Sequence, residues 1–210
     1  MKRYSLLLFL GLCSLCTGAQ DMKTLFTQIP DAYLPQLEIA WRKDLAELFL
    51  AGKDARLQNT MGGYSQLQQL TDNYLMLRVT ERSVVELKML PLINHTYIIC
   101  MVTTIEGPAP DSRVSFYTTE WQRLDPSALF TPVPPEWFLN DPGEADSDAF
   151  RDAIARLDMH LIKYRLSPED LTLTAIYATP LYLNEEERQK TLPFLKENPK
   201  VYTWNRSCFR

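Results

Sequence analysis

The sequence predicts an α+β fold in which antiparallel β-meanders pack against helices. Three observations predict it: apolar residues at helical spacing over 34–51, alternating and continuous apolar runs over 73–117, and a second succession of helix and strands after residue 144. Hydrophobic residues make up 46% of the 210 residues and charged residues 23%, a composition that excludes collagen-like and fully disordered classes. A chain of this length can bury a core without disulfides.

The first predicted helix runs over residues 34–51. Pro35 fits its first turn, and Gly52 fits a left-handed stop just after it. The apolar residues of the segment are three or four positions apart, which places them on one helix face. They are Leu34, Leu37, Trp41, Leu45 and Leu48.

Arg42 is a candidate structural residue on this helix. Glu38 lies four residues before it, at the spacing of a helical ion pair. Helical geometry also places Arg42 on the flank of the helix, about 100° from Trp41, where it can meet a loop such as 111–112. We therefore expect Arg42 to form a structural ion pair.

Three consecutive strands are predicted to form an antiparallel meander. In 85–89, apolar residues alternate with Glu86 and Lys88, which predicts a half-exposed strand with both charged side chains in solvent. The next run, 96–105, is apolar or β-branched throughout and is predicted to be buried on both faces. The third strand, 113–118, alternates again, and short turns join the three.

The second half of the chain is predicted to be a separate lobe. Five prolines within residues 126–143 predict an extended, semi-rigid connection between an N-terminal lobe, 20–125, and a C-terminal lobe, 144–210. The C-terminal lobe contains a helix, a pair of strands, a short helix capped by Asn184 and a final strand. Two loosely similar α+β halves are one interpretation of this order, and one continuous mixed sheet is the other.

The N-terminus has the pattern of an export signal. Two basic residues precede an apolar run over 4–15, and three small residues follow it. We therefore expect residues 1–19 to be a signal peptide and the protein to be periplasmic or secreted. Lipid anchoring is not expected, because a leucine rather than a small residue precedes both Cys13 and Cys16. No later segment has the roughly 18 apolar residues of a transmembrane helix, so none is expected in the mature chain.

Composition and motifs exclude several kinds of ligand. The formal net charge of −4 and the absence of a basic stripe argue against a nucleic-acid partner. No metal site is expected, because His95 and His160 are isolated from each other and from the cysteines. The acidic stretch 141–152 lacks the glycine and glutamate of a calcium loop and is interpreted as an acidic helix start. With seven glycines and no phosphate-binding motif, no cofactor is expected.

The function predicted from these observations is binding rather than catalysis. The sequence has no nucleophile elbow and no zinc-protease motif, so no catalytic residue can be named. We expect a non-catalytic module that binds an envelope protein or glycan; the alternative is a hydrolase that uses an unrecognised pair of carboxylates. The candidate binding residues are aromatic side chains near the proline-rich segment, although they could instead close the end of the core. They are Tyr117, Trp121, Trp137 and Phe138.

Two cysteines remain after signal cleavage. Cys100 lies within an apolar strand, where a thiol packs as a small hydrophobe. Cys208 lies in a polar C-terminal segment that is expected to fray. We therefore expect two free thiols, and a disulfide that closes a long loop is the alternative.

Short motifs along the first half of the chain are similar to those of one family. They are Ile29-Pro30-Asp31, Arg42-x-Asp44-Leu45, Gly62-Gly63, Lys88-Met89-Leu90-Pro91-Leu92, Gly107-Pro108-Ala109-x-Asp111-Ser112 and Phe116-Tyr117 with Trp121. In these motifs the chain resembles the secreted Bacteroidales family known as domain of unknown function 3256, more closely over 26–121 than in the C-terminal half. The resemblance implies a Gram-negative envelope or secreted setting and brings no catalytic residues with it.

Overall fold

An antiparallel meander forms the centre of the molecule. The computed structural model describes residues 21–140 and 148–210, and in this part of the chain seven strands pair in sequence order. The strands are β1 (Arg56–Gln58), β2 (Tyr64–Leu70), β3 (Tyr74–Thr80), β4 (Ser83–Pro91), β5 (Tyr97–Ile105), β6 (Asp111–Thr118) and β7 (Arg123–Leu124). The predicted α+β fold and its antiparallel meander are confirmed, and the meander extends beyond the three expected strands.

Two helices, α1 (Met22–Thr27) and α2 (Ile39–Leu50), cover one face of this sheet. The Asp21 side chain caps α1 by accepting a hydrogen bond of 2.7 Å from the Thr24 amide. Apolar residues of both helices and of the facing strands form the first core. Its members include Leu25, Phe26, Leu45, Leu75, Leu87 and Trp121.

Helix α2 begins later than the sequence predicts, at Ile39 rather than near residue 34. Leu34 and Leu37 are buried as expected, but they lie in turns before the helix. The carbonyl of Leu37 accepts a hydrogen bond of 2.5 Å from the Arg42 guanidinium, which holds these turns against the helix. The end is as predicted: Gly52 has a φ of 68° and stops the helix in the left-handed region.

Arg42 is buried beneath these turns, with 1% of the residue exposed. Its guanidinium donates to the carbonyls of Leu37 and Ile29, at 2.5 and 2.6 Å, and pairs with Asp31 at 2.9 Å. The predicted structural ion pair therefore exists, but its partner is Asp31 and not Glu38 or the 111–112 loop. The reason is burial: the guanidinium satisfies two carbonyls of the chain before α2 that are inaccessible to water.

A second, three-stranded sheet packs on the opposite face of the large sheet. It contains β8 (Ile162–Leu166), β9 (Thr172–Tyr177) and β10 (Lys200–Thr203) in the antiparallel order β10-β9-β8. Two further helices flank it, α3 (Asp148–Ala155) and α4 (Glu185–Thr191), and Asn184 caps α4 as predicted. The space between the sheets is the second core, which is rich in aromatic residues. They include Phe116, Phe130, Tyr164, Tyr202, Trp204 and Phe209.

The outer edge of β8 meets the large sheet through side chains. The Ile162 amide donates to Asp111 Oδ1 at 3.2 Å, and the Tyr164 amide donates to Ser112 Oγ at 3.0 Å. Burial raises the pKa of the Glu86 carboxyl, and the Leu166 amide, which lies at that carboxyl, offsets part of the rise. Side chains of β6 and β4 therefore take the place that another strand would fill along this edge.

Glu86 and Lys88 are buried, which contradicts the predicted half-exposed strand. Only 2% of Glu86 and 1% of Lys88 are exposed, because the three-stranded sheet covers the face of β4 that carries them. Glu86 accepts a hydrogen bond of 2.7 Å from the Tyr74 hydroxyl. The Lys88 ammonium donates to the Pro168 carbonyl at 2.9 Å and to Asn73 Oδ1 at 3.2 Å. Alternation within one strand cannot reveal that a second sheet covers its polar face.

The C-terminal segment is ordered by packing, so the expected fraying is wrong. Thr203 and Arg210 exchange two backbone hydrogen bonds, and the Phe209 amide donates to the Leu129 carbonyl at 2.8 Å. The Phe209 ring contacts aromatic residues of the second core, and this burial holds the segment in place.

The two cysteines are free thiols in different surroundings. Cys100 is fully buried, and burial raises the pKa of its thiol. Cys208 is partly exposed, and a hydrogen bond with Arg210 lowers the pKa of its thiol.

Two sequence predictions concern residues outside the described ranges, and a third concerns the boundaries of the proposed lobes. The signal peptide, 1–19, and most of the candidate calcium stretch, 141–147, lie outside the described residues. The lobes 20–125 and 144–210 and the 126–143 connection stay a prediction. The second core nevertheless joins residues from both proposed lobes, and Phe130 and Val133 of the proline-rich segment are buried in it.

We expect Arg42→Ala to lower the free energy of unfolding by about 3 kcal/mol, because two buried carbonyls lose a charged donor. Asp31→Asn should cost less than about 1 kcal/mol, since the Asp31 side chain is 67% exposed. Denaturant unfolding of the two variants measures both effects. Equal losses would show that the ion pair, and not the carbonyl contacts, holds the turns.

Glu86 makes stability depend on pH. Burial raises the pKa of its carboxyl above the usual value, so its contribution is fully present below that usual value and is lost as the pH rises through the raised one. We expect Glu86→Gln, which does not titrate, to gain stability relative to the wild type as the pH rises from about 4 to neutrality. Melting temperatures across that range measure this difference.

Tyr74→Phe provides the matched comparison. Its hydroxyl lowers the pKa of Glu86 by donating to the carboxyl, so its removal should destabilise the protein more at neutral pH than at about pH 4. A Glu86→Gln profile parallel to that of the wild type would contradict the assignment.

Candidate binding groove

An apolar groove opens at one end of the three-stranded sheet. It has a volume of about 540 Å³ and lies between the segment 135–140 and the segment 192–199. The end of β9 forms its floor, and the turn after β9 forms the far side. The residues that line it are mainly apolar: Phe138, Ile176, Tyr177, Pro180, Leu181, Leu192, Leu195 and Pro199, with Arg188, Lys196, Glu197 and Asn198 as the polar members.

The two walls of the groove are tied together by hydrogen bonds. Leu139 and Leu195 form an isolated antiparallel bridge, and the Lys196 amide donates to the Phe138 carbonyl at 2.8 Å. The Asn140 side chain adds a hydrogen bond of 2.9 Å to the Leu195 carbonyl. The proline-rich segment forms a 3-10 turn, Pro135–Phe138, before this bridge. These contacts preform the groove.

Phe138 and Tyr177 form the base of the groove. Their rings are stacked, with centroids 5.0 Å apart and an angle of 7° between the planes. Phe138 is 2% exposed, and burial raises the pKa of the Tyr177 hydroxyl. The pair belongs to the second core, so the base of the groove is continuous with the interior.

Three large apolar side chains remain open to solvent at this groove. Ile176 is 38% exposed, Leu181 is 49% exposed and Leu192 is 44% exposed. Single exposed apolar side chains are common on protein surfaces. Three of them beside one concave surface form an apolar patch, which is typical of a binding site. No sequence pattern singles them out, because they come from a strand end and two separate turns. Leu181 and Leu192 each lie next to a proline in the sequence, whereas Ile176 lies within β9 and has no such signal.

Trp137 lies at the rim of the groove with two lysines over its ring. The ammonium of Lys196 is 4.5 Å from the ring centroid, and that of Lys200 is 5.4 Å from it. Lys196 also donates to the Trp137 carbonyl at 2.5 Å. These cation–π contacts fix the indole and occupy its surface.

The four aromatic residues predicted to bind a ligand do not form one cluster. The ring centroids of Trp137 and Phe138 are 5.1 Å apart; Phe138 lines the groove, whereas Trp137 lines the depression next to it. Tyr117 and Trp121 contact each other at 5.5 Å but belong to the first core, on the other face of the large sheet. The Trp121 indole donates to the Leu25 carbonyl at 3.2 Å, which anchors α1. The binding role of all four stays a prediction.

The alternative hydrolase would need two carboxyls in an open cleft, one of them with a raised pKa. Burial raises the pKa of the Glu86 carboxyl, but Glu86 is enclosed between the sheets and not in an open cleft. The described geometry therefore gives no support to a catalytic pair.

The described residues contain no group of three or more His, Cys, Asp or Glu residues that could hold a metal ion. None of the helices described is long and apolar enough to cross a membrane.

The fold and the groove define an α+β protein in which a seven-stranded meander, covered by helices on one face, supports a small sheet with an apolar groove on the other. The chain belongs to the family described as protein of unknown function DUF3256, whose model matches residues 14–209. The resemblance seen in the sequence motifs is thereby confirmed.

A solved structure with this fold comes from Porphyromonas gingivalis W83, a member of the Bacteroidales. It is a domain of an uncharacterized protein, with a TM-score of 0.79 and 29% sequence identity. The similarity covers 89% of this chain and 96% of that chain. A search of curated proteins finds no match.

Proposed function

We propose that the protein is an exported, non-catalytic module that binds a protein partner through the apolar groove. The observation that carries this proposal is the preformed concave surface with Ile176, Leu181 and Leu192 exposed beside it. Water-exposed apolar area of this kind favours association, because a partner's side chains remove it from water. A peptide of a few apolar residues fits a groove of about 540 Å³.

The groove is better suited to a peptide than to a sugar. A sugar ring needs a free aromatic face with polar groups around it. Phe138 is stacked against Tyr177, and the Trp137 ring carries the Lys196 and Lys200 ammonium groups, so both rings already have partners within the protein. Aliphatic side chains at the open surface instead match apolar side chains of a protein segment.

Export supports a partner in the cell envelope. The basic, apolar and small-residue pattern of residues 1–19 is that of a cleaved signal, and we expect the mature chain to begin at Gln20. N-terminal sequencing of the protein purified from its host measures this start. A chain that still begins at Met1, or a lipid on Cys16, would contradict it.

A library of displayed random peptides, selected against residues 20–210, tests the groove. Selected peptides should bind the wild type, and Leu181→Asp and Leu192→Asp should each weaken that binding at least about tenfold, because a buried leucine contributes about 1.5–3 kcal/mol. Affinities of labelled synthetic peptides measure the loss. Ile93→Asp is the matched control, since Ile93 is 72% exposed on the turn between β4 and β5.

All three variants should unfold within about 0.5 kcal/mol of the wild type, because the residues are at the surface. Peptides that bind both groove variants as tightly as the wild type would overturn the groove assignment. The library could instead yield no peptide, while the wild type binds a glycan array and the two groove variants do not. That result would show that the ligand of the groove is a glycan and not a protein.

A further inference from the structure

A second cleft lies on the other face of the seven-stranded sheet, beside the two helices of the first core. Its volume is about 600 Å³, its floor is formed by β5, β6 and β7, and Tyr33 from the turns before α2 stands at its side. The Tyr33 ring contacts Tyr117 with centroids 4.8 Å apart. The cleft therefore borders the first core without being filled by it.

Strand register brings a set of hydrogen-bond donors to this floor. Arg113, Ser115 and Tyr117 alternate along β6 and so share one face of it. Arg123 on β7 is the direct cross-strand partner of Tyr117, which places it on the same face. Two guanidinium groups, a serine and a tyrosine thus come together over adjacent strands.

The two arginines are not used by the fold. In the described part of the chain, the guanidinium groups of Arg113 and Arg123 form no ion pair and no hydrogen bond, and both residues are exposed. Burial raises the pKa of the Tyr117 hydroxyl, and a hydrogen bond from Ser115 and the charges of Arg123 and Arg113 offset part of that rise. Asp111 also lines the cleft, but its carboxylate accepts the Ile162 amide at the edge of β8.

The apolar part of the floor indicates a ligand larger than a bare ion. Met101 and Ile105 on β5 are the cross-strand partners of Ser115 and Asp111, and Ile105 is 56% exposed. A ligand with both a charged and an apolar end would cover this surface while its charged end reaches the arginines. The net charge of the chain is −4, so two free cationic groups in one cleft oppose the overall charge.

We propose that this cleft binds an oxyanion group, a carboxylate, sulfate or phosphate, carried on a small ligand. Arg113 and Arg123 hold the anion, because the planar guanidinium fork matches two oxygens of such a group. The Ser115 hydroxyl donates to the Tyr117 oxygen, so the Tyr117 hydroxyl is the neutral donor left for the anion. The apolar end of the ligand rests on Ile105. This site is distinct from the groove and does not depend on it.

Titration with inorganic anions tests the site. Sodium sulfate, phosphate or acetate is added to isotopically labelled protein at ionic strength held constant with chloride, and backbone amide shifts are followed by nuclear magnetic resonance. We expect saturable shifts at residues 113–123. Arg113→Gln and Arg123→Gln should each weaken the apparent affinity about tenfold, since each removes a charge-assisted contact.

Arg82→Gln is the matched control, because Arg82 is an exposed arginine at the turn between β3 and β4, outside the cleft. Its titration should equal that of the wild type. The anion that saturates at the lowest concentration distinguishes a carboxylate ligand from a sulfated or phosphorylated one. Three outcomes would overturn the proposal. The shifts could persist in both cleft variants, chloride alone could reproduce them, or none of the three anions could give a saturable shift.

Discussion

The contact between the edge of β8 and the large sheet is the interaction on which the second half of the structure depends. A strand edge carries unpaired amides, and burying them without partners costs free energy. Here the side chains of Asp111 and Ser112 on β6 accept hydrogen bonds from two amides of β8. The Glu86 carboxyl lies at a third amide of β8, that of Leu166. Because β8 is held there, β9 and β10 extend over the face of the meander and enclose the aromatic core. The base of the groove, Phe138 on Tyr177, is built on that arrangement.

Local patterns predicted much of the meander and the helices, and they failed where a second layer intervenes. Continuous apolar character identified β5, and Asn184 identified the start of α4. The segment of β2, with three glutamines in seven residues, hides its strand character because only Ser65 and Leu67 are buried. The alternation in β4 predicts that Glu86 is exposed to solvent, but Glu86 is buried. Alternation distinguishes the two faces of a strand and does not show what covers each face.

The candidate site could be predicted only in part. Trp137 and Phe138 stand out in the sequence as aromatic residues near prolines, and Phe138 lines the groove while Trp137 lies beside it. Tyr117 lies at the other cleft, and Trp121 anchors α1. Leu181 and Leu192 carry no periodic signal, because turns place them. Their proximity arises from the bridge between the segments 135–140 and 192–199, which are more than fifty positions apart in the chain.

The division of the interior into two cores has a consequence for the order of folding. All members of the first core lie between residues 22 and 121, whereas the second core extends to Phe209. During synthesis from the N-terminus, the first core can therefore form before the C-terminal residues of the second core are made. At that stage the opposite face of the meander, which carries Ile98, Val102 and Phe116, is still exposed to water. Until residues 162–209 are added, that apolar surface is exposed and prone to aggregation.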